Sequence, residues 1–150
     1  MDEQLIRILI VDDHDIIRQG VISLLQFDPT LVVVGQAGNA AEAQQLAAEL
    51  QPDLVLLDIR MNGTSGLDCI PSLREQRAEL KILMLTMYDD EMFLRTALQA
   101  GASGYFLKGS DSKELVRAIH AVMANELYLS PRLNQELVNM YRSGTDLTTN

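Results

Sequence analysis

The chain is short of several things that other protein classes need. It holds one cysteine, Cys69, among its 150 residues, so no internal disulfide can form, as fits a reducing cytosol. No apolar run approaches the ~20 residues that span a bilayer. Positive charge is scarce: 12 Lys and Arg stand against 21 Asp and Glu, a net charge of −9. So acidic a segment repels nucleic acid and anionic membranes. The opening Met1-Asp2-Glu3-Gln4 lacks the basic start of a signal peptide. These absences lead us to expect a cytoplasmic protein with no membrane partner. What remains is an ordinary globular composition, 47% hydrophobic and 22% charged, at a length that suits one domain with a single core.

Five short apolar runs alternate with helical stretches: 6–11, 31–34, 54–57, 82–85 and 105–107. They are nearly continuous in Ile, Val and Leu, the pattern of strands buried on both faces of a parallel sheet. Between them, Asn39 with Glu42, Ser65 with Asp68 and Asp111 with Glu114 have capping-box or near-capping-box spacing, and Gly101 stands where a glycine ends a helix. The expected fold is α/β, a doubly wound five-stranded parallel sheet. A sixth helix should follow, capped by Ser130 with Pro131 in its first turn. Leu133, Leu137, Val138 and Tyr141 would share one face, and Ser143-Gly144-Thr145 would break the pattern as a linker.

Polar residues stand at the ends of four of these runs: Asp12 and Asp13, Asp58, Thr86 and Lys108. Open α/β sheets bind ligands outside the carboxyl ends of their strands, where strand order reverses. With the first strand beside the third, ~4.8 Å away, Asp12 and Asp13 end close to Asp58. Three such carboxylates repel one another unless a cation neutralises them. Mg²⁺, a hard cation that takes oxygen ligands, answers that repulsion. Thr86 ends the neighbouring strand, and the long stem of Lys108 can cross much of the ~10 Å from two strands away. This set suits phosphoryl transfer, with Asp58 as the nucleophile and the cation, Lys108 and Thr86 each on one phosphoryl oxygen.

Each residue also has a plain structural reading. An Asp-Asp pair after a strand is often a helix cap, Asp58 a turn residue before Asn62-Gly63, Thr86 a β-branched strand end and Lys108 surface charge. Their joint placement at the correct ends of strands one, three, four and five is far less common by chance. His14 reads as a solvated residue at a helix start, His120 has no assigned role, and Cys69 and the seven methionines read as core.

Four segments carry a family resemblance: Ile8-Leu9-Ile10-Val11-Asp12-Asp13-His14, Leu56-Leu57-Asp58-Ile59-Arg60-Met61, Leu85-Thr86, and Gly101-Ala102-Ser103-Gly104-Tyr105-Phe106-Leu107-Lys108. Over about residues 5 to 125 the chain resembles the receiver domain of bacterial two-component response regulators, most of all the NarL/FixJ type. The resemblance implies the flavodoxin-like receiver fold with strand order 2-1-3-4-5. It implies Asp58 as phospho-acceptor from a sensor histidine kinase. It implies Asp12, Asp13 and Asp58 as Mg²⁺ ligands together with the backbone carbonyl of Arg60, and Lys108 as the phosphate-contacting lysine. It also implies Thr86 and Tyr105 as a switch pair. A receiver of this kind is not an enzyme beyond its own phosphorylation and slow dephosphorylation. The type pairs its receiver with a LuxR-type helix-turn-helix. Leu147-Thr148-Thr149 is similar to that domain's opening, so we expect a receiver over 1–127. Residues 128–150 should then hold a linker helix and the start of a DNA-binding domain absent from this chain. A phosphorylation-dependent homodimer is the expected assembly.

Two departures stand out. Asn62-Gly63 replaces the usual Pro-Gly, and Gly109 replaces the proline that often follows the lysine, so no cis-proline is expected there. Three other functions compete with this one. A haloacid-dehalogenase-type phosphatase needs Asp-x-Asp after the first strand, and Val11-Asp12-Asp13-His14 does not match. An FMN carrier needs an amide- and hydroxyl-rich phosphate loop where this chain has carboxylates. An atypical receiver acting as a phosphorylation-independent interaction module lacks the full residue set found here.

Overall fold

The computed structural model describes residues 4–61, 63–109 and 111–142. The expected positions Asn62, Ser143-Gly144-Thr145 and Leu147-Thr148-Thr149, and the side chains of Leu137 and Tyr141, lie outside the described residues. The elements run β1 (Ile6–Val11), α1 (Asp15–Leu25), β2 (Leu31–Ala37), α2 (Ala40–Leu50) and β3 (Leu54–Leu57). A small hairpin of β4 (Arg60–Met61) and β5 (Thr64–Ser65) follows, then α3 (Cys69–Gln76), β6 (Lys81–Thr86) and α4 (Glu91–Ala100). The chain continues with β7 (Gly104–Leu107), α5 (Ser112–Met123), β8 (Tyr128–Leu129) and α6 (Asn134–Arg142).

The main sheet has the order β2-β1-β3-β6-β7-β8, with every pairing parallel. Its first five strands have the expected order. The additions are the sixth strand, β8, on the edge of β7, and the separate β4–β5 hairpin. Two-residue strands carry too little periodicity to be read from sequence. The strands also run past the apolar runs, to Ala37, Lys81 and Gly104, because backbone pairing continues where side-chain hydrophobicity stops.

Alternation within each strand builds two cores. Leu9, Val11, Val55, Leu57, Ile82, Met84 and Tyr105 face one side, with Ala43 and Ala47 of α2, Ile70 and Leu73 of α3, and Leu94 of α4. Ile8, Ile10, Leu54, Leu56, Leu83, Leu85 and Phe106 face the other, with Leu25 of α1 and Leu115, Ala118, Ile119 and Val122 of α5. The α5 set falls at i, i+3, i+4 and i+7, one stripe of a helix. Each fully buried Leu or Ile contributes about 1.5–3 kcal/mol, which is why nearly unbroken aliphatic runs become the central strands.

The caps divide. Asn39 caps α2 as expected, accepting Glu42 N–H at 2.9 Å, while Glu42 Oε1 accepts Gly38 N–H at 2.9 Å. Asp111 caps α5 by accepting Lys113 N–H at 3.0 Å. Ser65 accepts Leu67 N–H at 3.2 Å at a short 3₁₀ turn rather than opening α3 directly. Gly101 ends α4 with φ of 109°. Ser130 makes no side-chain cap; a 3₁₀ turn over Pro131–Leu133 precedes α6, and the Ser130 hydroxyl is engaged elsewhere. Packing continues across residues 127 and 128, because β8 joins the sheet and Leu133 is fully buried in the core. Cys69 is buried as expected. Met87 and Met92, expected in the core, are 68% and 72% exposed. Among the described residues no helix is long and apolar enough to cross a membrane.

His120 has a structural role that its sequence position did not reveal. Its Nε2 lies 2.8 Å from Asp28 Oδ2 and ties α5 to the loop before β2. Asp28 Oδ1 also accepts the Thr30 hydroxyl at 2.6 Å and the Thr30 N–H at 2.8 Å. The Thr30 hydroxyl, then His120, hold the Asp28 carboxyl down at about 2 against an ordinary 3.8. A carboxyl whose folded value lies below its unfolded one stabilises the fold fully above the unfolded value and loses that contribution as pH falls through the folded one. Asp28→Ala should therefore lower stability by about 1–2 kcal/mol at neutral pH, a figure reduced for solvent screening. The difference from wild type should shrink between pH 4 and 2. Urea unfolding of both proteins across that range measures it, and a pH-independent gap would contradict the assignment.

Candidate functional site

The sheet's hydrogen-bond ladders run one residue past each strand and so fix the site. Asp12 N–H donates to Ala37 O at 3.0 Å, Asp58 N–H to Val11 O at 3.0 Å and Lys108 N–H to Thr86 O at 2.7 Å. Val11 pairs with Leu57 across the sheet, so Asp12 and Asp58 leave their strands at the same level. Asp12, Asp13, Asp58 and the exposed His14 each offer a ligand atom within 4.8 Å of the others. Lys108 reaches across from β7: its Nζ lies 2.7 Å from Asp12 Oδ2 and 3.2 Å from Asp58 Oδ2. The expected acids and the lysine thus converge. Two of the acids, Asp12 and Asp58, are nearly fully buried.

Charge divides these groups. Burial pushes the Asp58 carboxyl up, the Lys108 charge pulls it down, and the Asp12 charge adds to the rise; it sits above the ordinary value. Asp12 feels the same burial, but hydrogen bonds from Lys108 Nζ and the His14 N–H outweigh it and hold the carboxyl below its usual range. Burial lowers the Lys108 ammonium, yet its bond to Asp12 and the charge of Asp58 leave it raised, so it stays protonated. Three carboxylates against one ammonium leave two negative charges in excess. The three carboxylates among these donors offer hard oxygen, which suits a divalent cation such as Mg²⁺.

The remaining expected residues frame the cluster. Thr86 is fully buried and its Oγ1 accepts the Tyr88 N–H at 3.2 Å; this uses a lone pair and does not consume the O–H. The ring of Tyr105 already lies inside, and its hydroxyl donates to the Tyr88 carbonyl. Thr86 and Tyr105 are therefore joined through Tyr88, a residue that nothing in the sequence singles out. Arg60 lies in β4, its guanidinium 5.4 Å from the centre of the Tyr88 ring. A cavity of about 210 Å³ opens beside Asp58, lined also by His14, Ile17, Arg60, Met87, Tyr88 and Lys108. His14 is exposed as expected, but its Nδ1 also touches Asp13 at 2.9 Å and Asp12 at 3.1 Å.

Two further residues hold the acids in place. Arg18 donates to the Asp12 carbonyl and to Asp15 Oδ1. Gly66 lies against the backbone of Asp58: a Cβ there would fall 1.8 Å from the Asp58 carbonyl oxygen. An i, i+6 arginine near an acidic pair and a glycine in a turn are too common in sequences to mark either role.

A doubly wound sheet with an acidic cluster bridged by a lysine at its carboxyl edge is the architecture of a receiver, a signalling domain. The chain belongs to the response regulator receiver domain family of two-component systems, whose description matches residues 8–120. Response regulator GacA of Pseudomonas viridiflava is 41% identical over 133 residues, which cover 89% of this chain and 62% of that protein. The nitrate/nitrite response regulator protein NarL of Escherichia coli (strain K12) is 38% identical over 141 residues, 94% of this chain and 65% of that protein. The crystal structure of a LuxR-family two-component response regulator from Aurantimonas sp. SI85-9A1 superposes with a TM-score of 0.88. It shows 37% identity and covers 93% of this chain and 99% of that one. The chain is thus similar to NarL/FixJ-type receivers, and it spans 62% to 65% of the length of these two curated relatives.

The glycines give opposite predictions. Gly66→Ala must displace the Asp58 backbone and should destabilise by about 1–3 kcal/mol, the range for overpacking. Gly20, inside α1, has nothing within 4 Å of the point where a Cβ would stand, so Gly20→Ala should stabilise by about 0.5–1 kcal/mol. Denaturant midpoints of the two variants should therefore move in opposite directions from wild type.

Proposed function

We propose that a sensor histidine kinase phosphorylates this chain on Asp58 in a Mg²⁺-dependent reaction, and that the phosphorylated form controls an attached DNA-binding domain outside this chain. The observation that carries the reading is the bridge from Lys108 Nζ to Asp12 and Asp58, at 2.7 and 3.2 Å, inside a cluster of three carboxylates. One Asp58 oxygen attacks phosphorus in line. The bond from phosphorus to the donor's imidazole nitrogen breaks, its electron pair returns to the ring, and an acyl phosphate remains on Asp58. Lys108 stands beside the accepting oxygen and neutralises charge on the transferred group, while the Thr86 O–H donates to a second phosphoryl oxygen. Asp12, Asp13, Asp58 and the Arg60 carbonyl would hold Mg²⁺, which supplies charge neutralisation at the phosphoryl oxygens.

The switch then runs through Tyr88. As the Thr86 hydroxyl turns to the phosphoryl group it draws on its bond to the Tyr88 N–H, and the Tyr88 carbonyl carries the change to the Tyr105 hydroxyl. A charge-assisted hydrogen bond contributes about 1.5–3 kcal/mol, roughly a ten- to hundredfold shift in a two-state equilibrium. We assign to the receiver the expected residues 1–127 together with β8 and the segment to Leu133, which complete its sheet and core, with α6 leading towards the DNA-binding domain. Self-association of the phosphorylated form is best placed on the α1–α5 side. There Ile16 and Phe27 are 84% and 87% exposed, whereas β8 covers the edge of β7 and α6 packs on α4.

Intact-mass measurement after treatment with a small phosphodonor and Mg²⁺ tests the chemistry. One phosphoryl group should be added to wild type, none to Asp58→Asn, and Asp13→Ala should also block labelling, because it removes a cation ligand. Unchanged labelling of Asp58→Asn would overturn the assignment, and an unlabelled wild type would return the chain to the phosphorylation-independent reading. Light scattering tests the assembly. The phosphodonor should raise the mass of wild type towards a dimer and leave Phe27→Glu monomeric; an equal rise in both would remove the α1–α5 face.

A further inference from the structure

The segment after α5 does more than leave the domain. Tyr128 and Leu129 pair with Gly104 and Tyr105. Gly104 makes the approach possible, since a Cβ there would lie 2.9 Å from the Tyr128 carbonyl oxygen and 2.9 Å from Leu83 Cδ1. Phe106 then stacks on Tyr128 with ring centres 6.1 Å apart. Ser130 follows, fully buried. Its N–H donates to Tyr105 O at 3.1 Å, and its Oγ accepts the Leu107 N–H at 2.8 Å. A side chain thereby extends the ladder one bond beyond the end of β8. Pro131 favours the extended backbone that Ser130 adopts, with ψ of 143°. Arg132 pairs with Asp89 at 2.8 Å, and Leu133 fills the core behind.

The bond to Leu107 falls immediately before Lys108. On the opposite edge of β7, Lys108 N–H is held by Thr86 O at 2.7 Å. The end of β7 is therefore clamped from both sides, by β6 backbone and by the Ser130 hydroxyl. Leu107 is buried, so water does not replace that hydroxyl cheaply, and a buried N–H without a partner is strongly disfavoured. Loss of the hydroxyl favours outward movement of the β7 end, and Lys108 moves with it.

We propose that Ser130 is a positioning residue for phosphoryl transfer: its hydroxyl fixes the end of β7, and with it the base from which the Lys108 ammonium reaches Asp58. The inference rests on the reading of Lys108 as the phosphoryl-contacting group. It makes the segment after α5 part of the reaction machinery as well as a connection to the next domain. The flexible lysine stem absorbs some of any shift, so the expected effect is smaller than that of removing Lys108.

A double-mutant cycle tests this on the full 150-residue chain. Initial labelling rates by a small phosphodonor with Mg²⁺ are measured for wild type, Ser130→Ala, Lys108→Ala and the double variant, with thermal melts to confirm folding. Ser130→Ala should label about tenfold more slowly, as expected for a misplaced reacting group. The double variant should be no slower than Lys108→Ala alone, because Ser130 acts through the lysine. An unchanged Ser130→Ala rate overturns the proposal, as does a double variant slowed by the product of the two single effects. If Ser130→Ala melts below the assay temperature, Ser130→Cys, close in volume but a weak acceptor, takes its place in the cycle. A wild type that takes no label removes the phosphorylation reading and this inference with it. A labelled wild type with an unaffected serine variant removes only this inference.

Discussion

The contact on which the site depends is the ammonium of Lys108 held between Asp12 and Asp58. Without it, two nearly buried carboxylates would face each other at the end of adjacent strands, with a third, Asp13, beside them. Burial of like charges at that spacing raises carboxyl pKa values and drives protonation. The lysine resolves the conflict unevenly. Asp12 takes the shorter bond, at 2.7 Å, and stays below its ordinary range, whereas Asp58, at 3.2 Å, remains above it. The less well satisfied carboxylate is the one that faces the cavity beside Arg60, Met87 and Tyr88. Residual electrostatic frustration is thus concentrated on the group that we propose as the acceptor, as expected where strain is kept for function.

The sheet makes that conflict unavoidable. Parallel strands with matched registers put their carboxyl ends on one edge, so acids after β1 and β3 are forced together whatever lies between them in the chain. The ladder bonds of Asp12, Asp58 and Lys108 run one step past the strands and fix all three backbones. The two cores on either side leave little room for adjustment, since Val11 and Leu57 are buried within one and Ile10 and Leu56 within the other. A site built on such rigid elements holds its geometry better than one built on loops alone.

The parts legible in the sequence are those that depend on long runs or on strand ends. The five principal strands and the convergence of Asp12, Asp13, Asp58 and Lys108 follow from unbroken aliphatic segments and the polar residues that close them, whereas the full strand order came from the family resemblance. What escaped depends on contacts between distant residues of ordinary type. His120 meets Asp28 across 92 positions and Ser130 meets Leu107 across 23; nothing local distinguishes either from a surface histidine or a helix cap. Ser130 has the composition of a cap and the position of one, yet its hydroxyl turns to an N–H of the neighbouring strand, because tertiary pairing overrode local preference. Met87 and Met92 belong in the core by residue type, but their positions on the loop and first turn leading into α4 turn them to solvent. Gly66 escaped because its role is steric: the absence of a side chain beside the Asp58 carbonyl has no positive signature.

β7 is where the site meets the rest of the chain, and its geometry determines what can be transmitted. Successive residues serve different neighbours. Tyr105 enters the α2–α4 core and bonds Tyr88, Phe106 enters the α1–α5 core and stacks on Tyr128, and Leu107 gives its N–H to Ser130. Because side chains alternate along a strand, no movement of its end is confined to one face. A closely packed interior does not yield continuously, so a displacement at Lys108 is either resisted by both cores or expressed by both. Coupling of this kind is reciprocal. Under the proposed phosphorylation of Asp58, such coupling would pass between the phosphoryl group and the segment beginning at Tyr128 through the end of β7.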